Sequence, residues 1–173
     1  MSLPTAETQA DILVAGAGAA GLSTALALAQ AGFSVVCAGH VDGRPNGRTV
    51  ALFEASLRFY KALGVWPHFR GMTAPLAKIT MLDATGARLP VPSLTFAASE
   101  IGLAAFGENI ENNVLVEGLA DIASASPSLL LHEGMISDIH FEQDAVHANL
   151  ADEHRITAKL AVAADGRKSL VRT

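Results

Sequence analysis

Three glycines near the start of the chain constrain its fold more than any other feature. Gly16, Gly18 and Gly21 stand in the order Gly-Ala-Gly-Ala-Ala-Gly, with an apolar run over residues 12–15 before them and an alanine- and leucine-rich stretch over 22–31 after. A strand that runs into a tight turn and directly into a helix is the opening of a dinucleotide-binding βαβ unit. Each glycine has its own task there. The first permits the turn, the second lets a pyrophosphate approach the backbone, and the third lets helix and strand pack closely. The first helical amides, with Ala19 and Ala20 inside the turn, direct partial positive charge at an anion. Gln30-Ala31-Gly32 then stops the helix, and residues 33–38 supply a second apolar strand. Without that flanking context the three glycines would fit an ordinary flexible turn equally well.

Composition agrees with such a unit. Half of the 173 residues are hydrophobic and 17% are charged, as parallel strands covered on both faces require. The length suffices for one domain with a core. A net charge of −5 without a dense basic patch argues against nucleic acid as a partner. No apolar run reaches the length of a bilayer span. Residues 1–9 have neither the positive charge nor the apolar core of a signal peptide. The single cysteine, Cys37, lies inside the second strand and reads as a small buried hydrophobe, consistent with a reducing cytoplasm.

Other chemistries lack their residues. His40, His68, His132, His140, His147 and His154 show no short metal-ligand spacing, so no metal site is expected. There is no G-x-S-x-G nucleophile elbow. Tyr60, the only tyrosine, is followed four residues on by Gly64, so the Tyr-x-x-x-Lys pair of short-chain dehydrogenases is absent.

Periodicity predicts strands over 11–15 and 34–38 around a helix over 19–31, followed by a polar loop over 39–47. A second helix is predicted over 50–63, where Leu52, Phe53, Leu57, Tyr60 and Leu63 share a face, with Gly64 as its cap and Trp66-Pro67 as its stop. Residues 78–83 read as a strand, Thr85-Gly86 as a turn and 88–91 as the returning partner, with an extended, irregular stretch to Phe106. Asn112 or Asn113 caps a helix to about residue 125. Residues 129–131 form a buried strand, 135–141 and 145–150 a hairpin, and 159–164 a last apolar strand. The first two strands, the one near Leu130 and the last should share a sheet around the nucleotide. The segment over 78–91 begins a second sheet that covers a substrate.

The last strand delivers Ala164-Asp165-Gly166-Arg167-Lys168-Ser169-Leu170-Val171-Arg172. Here the chain resembles the class A flavoprotein monooxygenases, the FAD-dependent aromatic-ring hydroxylases, whose signature at this place is apolar-Ala-Asp-Gly-x-x-Ser-x-Val-Arg. Arg48-Thr49-Val50-Ala51-Leu52, Leu63-Gly64-Val65-Trp66 and Phe106-Gly107-Glu108-Asn109-Ile110-Glu111-Asn112-Asn113-Val114-Leu115 resemble the ubiquinone-biosynthesis hydroxylase branch. The resemblance runs from Asp11 onward. It implies an α/β fold: a Rossmann-like FAD-binding domain of the glutathione-reductase-like, p-hydroxybenzoate-hydroxylase type, with the start of a second, substrate-domain sheet. Residues 1–10 would then be a leader and 11–173 a truncated FAD/NAD(P)-binding domain, with about 73–106 inserted as the beginning of the substrate sheet.

The activity so implied is hydroxylation of a phenolic, ubiquinone-precursor-like ring, driven by NAD(P)H and O2 with FAD as cofactor. Cofactor-binding roles fall on Gly16, Gly18, Ala19, Ala20, Gly21, Gly39, His40, Arg48, Asp165 and Gly166. Arg48 takes its role from the family's arginine near the cofactor, and a guanidinium fork suits phosphate or ribityl oxygens. Asp165 shapes the phosphate-binding turn, and Gly166 lets the chain bend beside it. No catalytic acid or base is identified.

Two departures stand out. The family places Glu or Asp at the end of strand two for the adenosine ribose, whereas Gly39 and then His40 stand here, with Asp42 nearby. A charged hydrogen bond contributes about 1.5–3 kcal/mol, so its loss would weaken cofactor binding roughly ten- to a hundredfold. Relatives also continue beyond the point matching Thr173, with the rest of a substrate sheet and a later Gly-Asp motif. The expectation is the N-terminal part of a hydroxylase, inactive in ring hydroxylation alone and prone to self-association. Its expected partner is a small aromatic or quinone-precursor substrate, in the cytoplasm, with peripheral attachment to a membrane or to other enzymes left open. A different FAD-dependent oxidoreductase and a non-catalytic dinucleotide-binding module are the alternative readings.

Overall fold

The computed structural model describes residues 7–83, 85 and 92–172. The chain forms two compact units, Met1–Asn46 with Asn112–Thr173, and Gly47–Glu111.

The first unit is a six-stranded sheet in the order β8-β2-β1-β11-β10-β9. Its strands are β1 (Glu7–Ala15), β2 (Val35–Ala38), β8 (Leu129–His132), β9 (Ile136–Phe141), β10 (Val146–Leu150) and β11 (Arg155–Ala163). Strands β8, β2, β1 and β11 run parallel, and β10 and β9 return antiparallel. Every residue of β2 is buried, as are the last four of β1. Leu13, Val36 and Ala38 pack against Ala148, Leu150, Ile156 and Ala158 in one buried cluster that spans β1, β2, β10 and β11. Alternation sends Val14 and Cys37, also fully buried, to the other face. Helices α1 (Ala19–Gln30) and α3 (Asn112–Ser124) pack on each other, on β2 and on β8. Their contact uses small and branched residues, Ala25, Leu26 and Ala29 on α1 with Leu115, Leu119 and Ala123 on α3 among the buried ones.

Both long strands begin four residues before their expected starts at Asp11 and Lys159. Glu7, Thr8 and Gln9 look too polar for a buried strand, but they pair in register with Arg155, Ile156 and Thr157 of β11. Side chains support the extension. Thr8 Oγ1 lies 2.8 Å from His154 Nε2, and Thr157 donates to Glu7 at 3.1 Å. Asp11 joins three neighbouring strands, accepting from Ser34 N at 3.0 Å, from Ser34 Oγ at 2.7 Å and from Lys159 Nζ at 2.7 Å.

The second unit holds β3 (Thr49–Phe53), α2 (Glu54–Ala62), β4 (Thr73–Pro75), β5 (Lys78–Met81), β6 (Leu94–Ala97) and β7 (Gly107–Glu111). Strands β3, β7 and β4 form one antiparallel sheet, and β5 pairs with β6 in another. The helix expected over 50–63 is therefore a strand followed by a shorter helix. Val50 and Leu52 turn inward while Thr49, Ala51 and Phe53 face out, a period of two rather than 3.6. Strand β7 pairs along all five residues of β3, and Gly107 approaches the Leu52 carbonyl too closely to carry a Cβ. Leu57, Tyr60 and Leu63 are buried as expected of the helical face. Gly64, at φ 74°, follows the helix end. Trp66 and Pro67 open a 3-10 turn, Trp66–Phe69, that buries Phe69 completely. The described partner of β5 is β6, which lies in the stretch expected to be irregular, together with a second 3-10 turn, Ala98–Ile101. The strand expected over 88–91 and Gly86 of the expected turn lie outside the described residues. No helix among the described residues is long and apolar enough to cross a membrane.

Candidate functional site

The site is built where the ends of three parallel strands meet. Strand β1 stops at Ala15, and Gly16 turns the chain at φ 109°, a conformation that disfavours L side chains. A Cβ on Gly16 would strike the Ala164 carbonyl at the exit of β11. The turn is tied to both neighbours. Gly16 N donates to Ala38 O at 2.7 Å, and Ala164 N donates to Ala15 O at 2.8 Å. Gly21 approaches the Gly16 carbonyl, again leaving no space for a side chain.

Gly39 is equally tight. A Cβ there would lie 2.5 Å from Ala17 N and 2.9 Å from Gly16 Cα. A side chain at position 39 would therefore require the Gly16–Ala17 backbone to shift. The neighbouring carboxylate is already engaged. Asp42 accepts from Arg44 Nε at 3.0 Å, and that hydrogen bond is the main cause that holds its carboxyl below the ordinary range.

Gly18 is different in kind. It caps α1 in ordinary extended geometry, φ −80° and ψ 179°, and a Cβ on it would meet no protein atom within 4 Å. The fold itself makes no demand for glycine there. Any demand comes from something that approaches the turn from outside. Helix α1 has no acidic residue in its first turn and no side-chain cap, so no side chain of the helix itself satisfies its leading amides.

Opposite the glycine turn stands the Asp-Gly turn after β11. Asp165 Oδ2 accepts from Leu170 N at 2.7 Å, while its Oδ1 is buried without a hydrogen-bond partner. Burial pushes the Asp165 carboxyl up, but hydrogen bonds from Ser169 and from the Leu170 and Val171 amides outweigh it and hold the group below the usual range. It is therefore a carboxylate at neutral pH. Gly166 follows at φ 83°. Ser169, itself buried, accepts from Arg172 N at 3.2 Å and closes the turn.

Between the two turns lies a cavity of about 550 Å³. Of the expected residues, Gly16, Gly18, Gly39, His40, Asp165 and Gly166 line it. Ala19 and Gly21 adjoin it in the first turn of α1, and Ala20 lines a smaller hollow on the other side of Asp165 and Gly166. Arg48 belongs to the second compact unit, just ahead of β3. The cavity also takes in Met135, Ile136, Lys168 and Leu170, none of which sequence reasoning selected. Lys168 was legible inside the Asp-Gly string, whereas Met135 and Ile136 arrive only through the strand order. Cys37 lies beneath the turn, its thiol 3.6 Å from Gly16 O, and burial pushes that thiol up to about 12. Among the described residues no group of three or more His, Cys, Asp or Glu is placed to hold a metal ion.

Comparison with known proteins places this geometry. Residues 9–173 match the family described as FAD binding domain. The chain is 32% identical to 3-demethoxyubiquinol 3-hydroxylase of Escherichia coli (strain K12), over 94% of this chain and 42% of that protein. It is 31% identical to ubiquinone hydroxylase UbiL of Rhodospirillum rubrum, over 97% of this chain and 40% of that protein. It thus spans about two-fifths of the length of these relatives. Among solved structures, the flavin-dependent monooxygenase PieE superposes with a TM-score of 0.78 at 17% identity, covering 95% of this chain and 31% of that one. The p-nitrophenol 4-monooxygenase PnpA of Pseudomonas putida DLL-E4 gives 0.76 at 20% identity, over 96% and 43%. Both are likenesses of fold.

Proposed function

We infer the function from one premise: this chain belongs to the FAD binding domain family. The chain is the FAD-binding part of a monooxygenase that hydroxylates a phenolic ring of the ubiquinone-precursor kind, with NAD(P)H and O2 as co-substrates. The names of the two ubiquinone hydroxylases it resembles support that substrate class. The observation that carries the reading is the meeting of two turns from opposite ends of the sequence at one cavity, where Gly18 has open space before it and Asp165 Oδ1 is buried without a partner. Both fit FAD. A dinucleotide pyrophosphate needs bare backbone at a helix N-terminus, and a polyhydroxy chain needs an ionised acceptor.

In this reading Gly16, Gly18, Ala19, Ala20 and Gly21 cradle the pyrophosphate. Gly39 and His40 border the adenosine side, and Arg48 contributes a guanidinium to phosphate or ribityl oxygens. Asp165 accepts a hydrogen bond from the cofactor and fixes its position without moving a proton, and Gly166 gives the backbone room beside it. When bound, FAD supplies the redox chemistry between nicotinamide, oxygen and the ring. The chain's own work is to bind, to orient and to keep water away. Residues 7–10, expected in a leader, are instead part of β1, where they pair with β11, and residues from about 73 to 106 begin the substrate sheet. Exposed Met81, Leu94 and Phe96 on β5 and β6 suit that role, because an apolar ring needs apolar cover. A cytoplasmic protein at the membrane periphery suits a lipid-soluble substrate of this class.

The test is flavin retention. The purified chain loaded with FAD is expected to keep a flavin absorption spectrum through gel filtration. Asp165→Ala is expected to lose most of that flavin while its circular dichroism stays that of the parent. A parent chain that retains none would overturn the FAD reading.

A further inference from the structure

Arg48 is not among the residues that line the cavity, so the charge of a ligand there must be met by the cavity's own lining. A pyrophosphate brings a negative charge on each phosphate, and the α1 N-terminus offers only about half a positive charge against it. Asp165 adds a further carboxylate to the same cavity. A low-dielectric cleft with net negative charge repels an anionic ligand unless a cation stands in it.

We propose that Lys168 is that cation: it lines the cavity opposite the glycine turn and pairs with the pyrophosphate of the bound dinucleotide. The inference rests on the FAD reading above. Among the described residues that line the cavity, Lys168 is the one lysine or arginine. Of the other cations near the Asp-Gly turn, Arg167 does not line the cavity. Arg172 Nη2 donates to the Arg167 carbonyl at 3.0 Å, and Arg44 is held by Asp42. Among the described residues no salt bridge involves Lys168.

Its placement is fixed by the backbone around it. Gly166, at φ 83°, swings the chain back after β11, and the bond from Leu170 N to Asp165 Oδ2 closes the turn around residues 166–169. Ser169 is buried on the inner side of that turn, and Lys168 is exposed beside it. The same turn therefore presents an anion and a cation to one cavity. Asp165 takes a hydroxyl, and Lys168 takes a phosphate. A lysine suits the second task because its flexible stem delivers a compact charge without demanding one geometry.

The experiment measures dissociation constants of FAD and of ADP for the full chain, for K168Q and for K168R, at low and high salt. ADP shares the pyrophosphate but lacks the flavin. K168Q is expected to weaken both ligands by the same factor, about tenfold at low salt, consistent with one charge-assisted contact. That loss is expected to shrink at high salt, and K168R is expected to stay within about threefold of the parent. Equal affinities of K168Q and parent for both ligands would overturn the proposal. So would a loss for FAD that ADP does not share, which would put Lys168 at the flavin end. A parent that binds neither ligand would bring down the FAD reading, whereas a parent that binds both equally with K168Q brings down this inference alone.

Discussion

The two compact units are held together in different ways. In the first, the centre of the sheet is covered on both faces: β2 is buried at every position, and Leu13, Val14 and Ala15 are fully so. In the second, β5 and β6 carry their large apolar side chains outward, with Met81 at 60%, Leu94 at 54% and Phe96 at 41% exposure. Its buried side chains sit elsewhere, in Phe69, Leu57, Tyr60 and Ile110. One unit bears the cavity on the turns that leave its buried strands. The other displays apolar surface on a narrow pair of strands. Burial in the first stabilises the fold, while much apolar area in the second is left for something else to cover.

That contrast can be broken most directly by paired truncations. Leu13→Ala removes a fully buried side chain from the cluster shared by β1, β2, β10 and β11, and the expected cost is about 2–5 kcal/mol. Phe96→Ala is expected to change stability by no more than about 1 kcal/mol. Urea midpoints measure both, and comparable losses would show that the β5–β6 pair has a core of its own.

A smaller effect separates two classes of glycine within the first unit. Gly39→Ala places a Cβ against the Gly16–Ala17 backbone, and a destabilisation of about 1–3 kcal/mol is expected from that overpacking. Gly18→Val meets no protein atom at its Cβ, so its melting temperature should stay close to the parent's while FAD affinity falls at least tenfold. Calorimetric titration beside thermal melts reads both quantities. A Gly18→Val variant that binds FAD as the parent does would remove the ligand as the reason for that glycine.

The smallest effect is in acid. The Lys159 ammonium and the Ser34 hydroxyl and amide hold the Asp11 carboxyl well below the usual carboxylate range. A folded pKa below the unfolded one gives stability that is present above about pH 4 and lost as pH falls through the folded value. Asp11→Asn is thus expected to flatten the decline of the urea midpoint between about pH 4 and pH 2. An unchanged decline would mean that this three-strand junction contributes little.

Much of the first unit was legible because its residues repeat one message. The glycine turn, the apolar strands on either side and the Asp-Gly string each fix a local geometry that tertiary packing then keeps. Strand β3 was hidden for a physical reason. Leu52, Phe53, Leu57, Tyr60 and Leu63 satisfy a helical period, but Val50 and Leu52 also satisfy a period of two, and only the distant partner β7 decides between them. The polar start of β1 was hidden likewise, because its pairing lies with residues near 155. At the site, the glycine turn and the Asp165 turn could be named from sequence. The tightness at Gly39 could not, since it arises from how closely β2 ends against Ala17. Lys168 was in plain view without a reason to choose it until the cavity joined it to the glycine turn.

The strand order carries a consequence for how the protein is made. Strand β11 inserts between β1 and β10, yet it is synthesised last of the six. At about 5–20 residues per second, a ribosome needs roughly seven to thirty seconds between completing β1 and completing β11. Through that interval the nascent chain holds β1 with one hydrogen-bonding edge unmet, the kind of edge that recruits other strands. The Asp165 half of the cavity also emerges only at the end of that wait. The cavity is therefore complete only once β11 has been made and both of its turns are available.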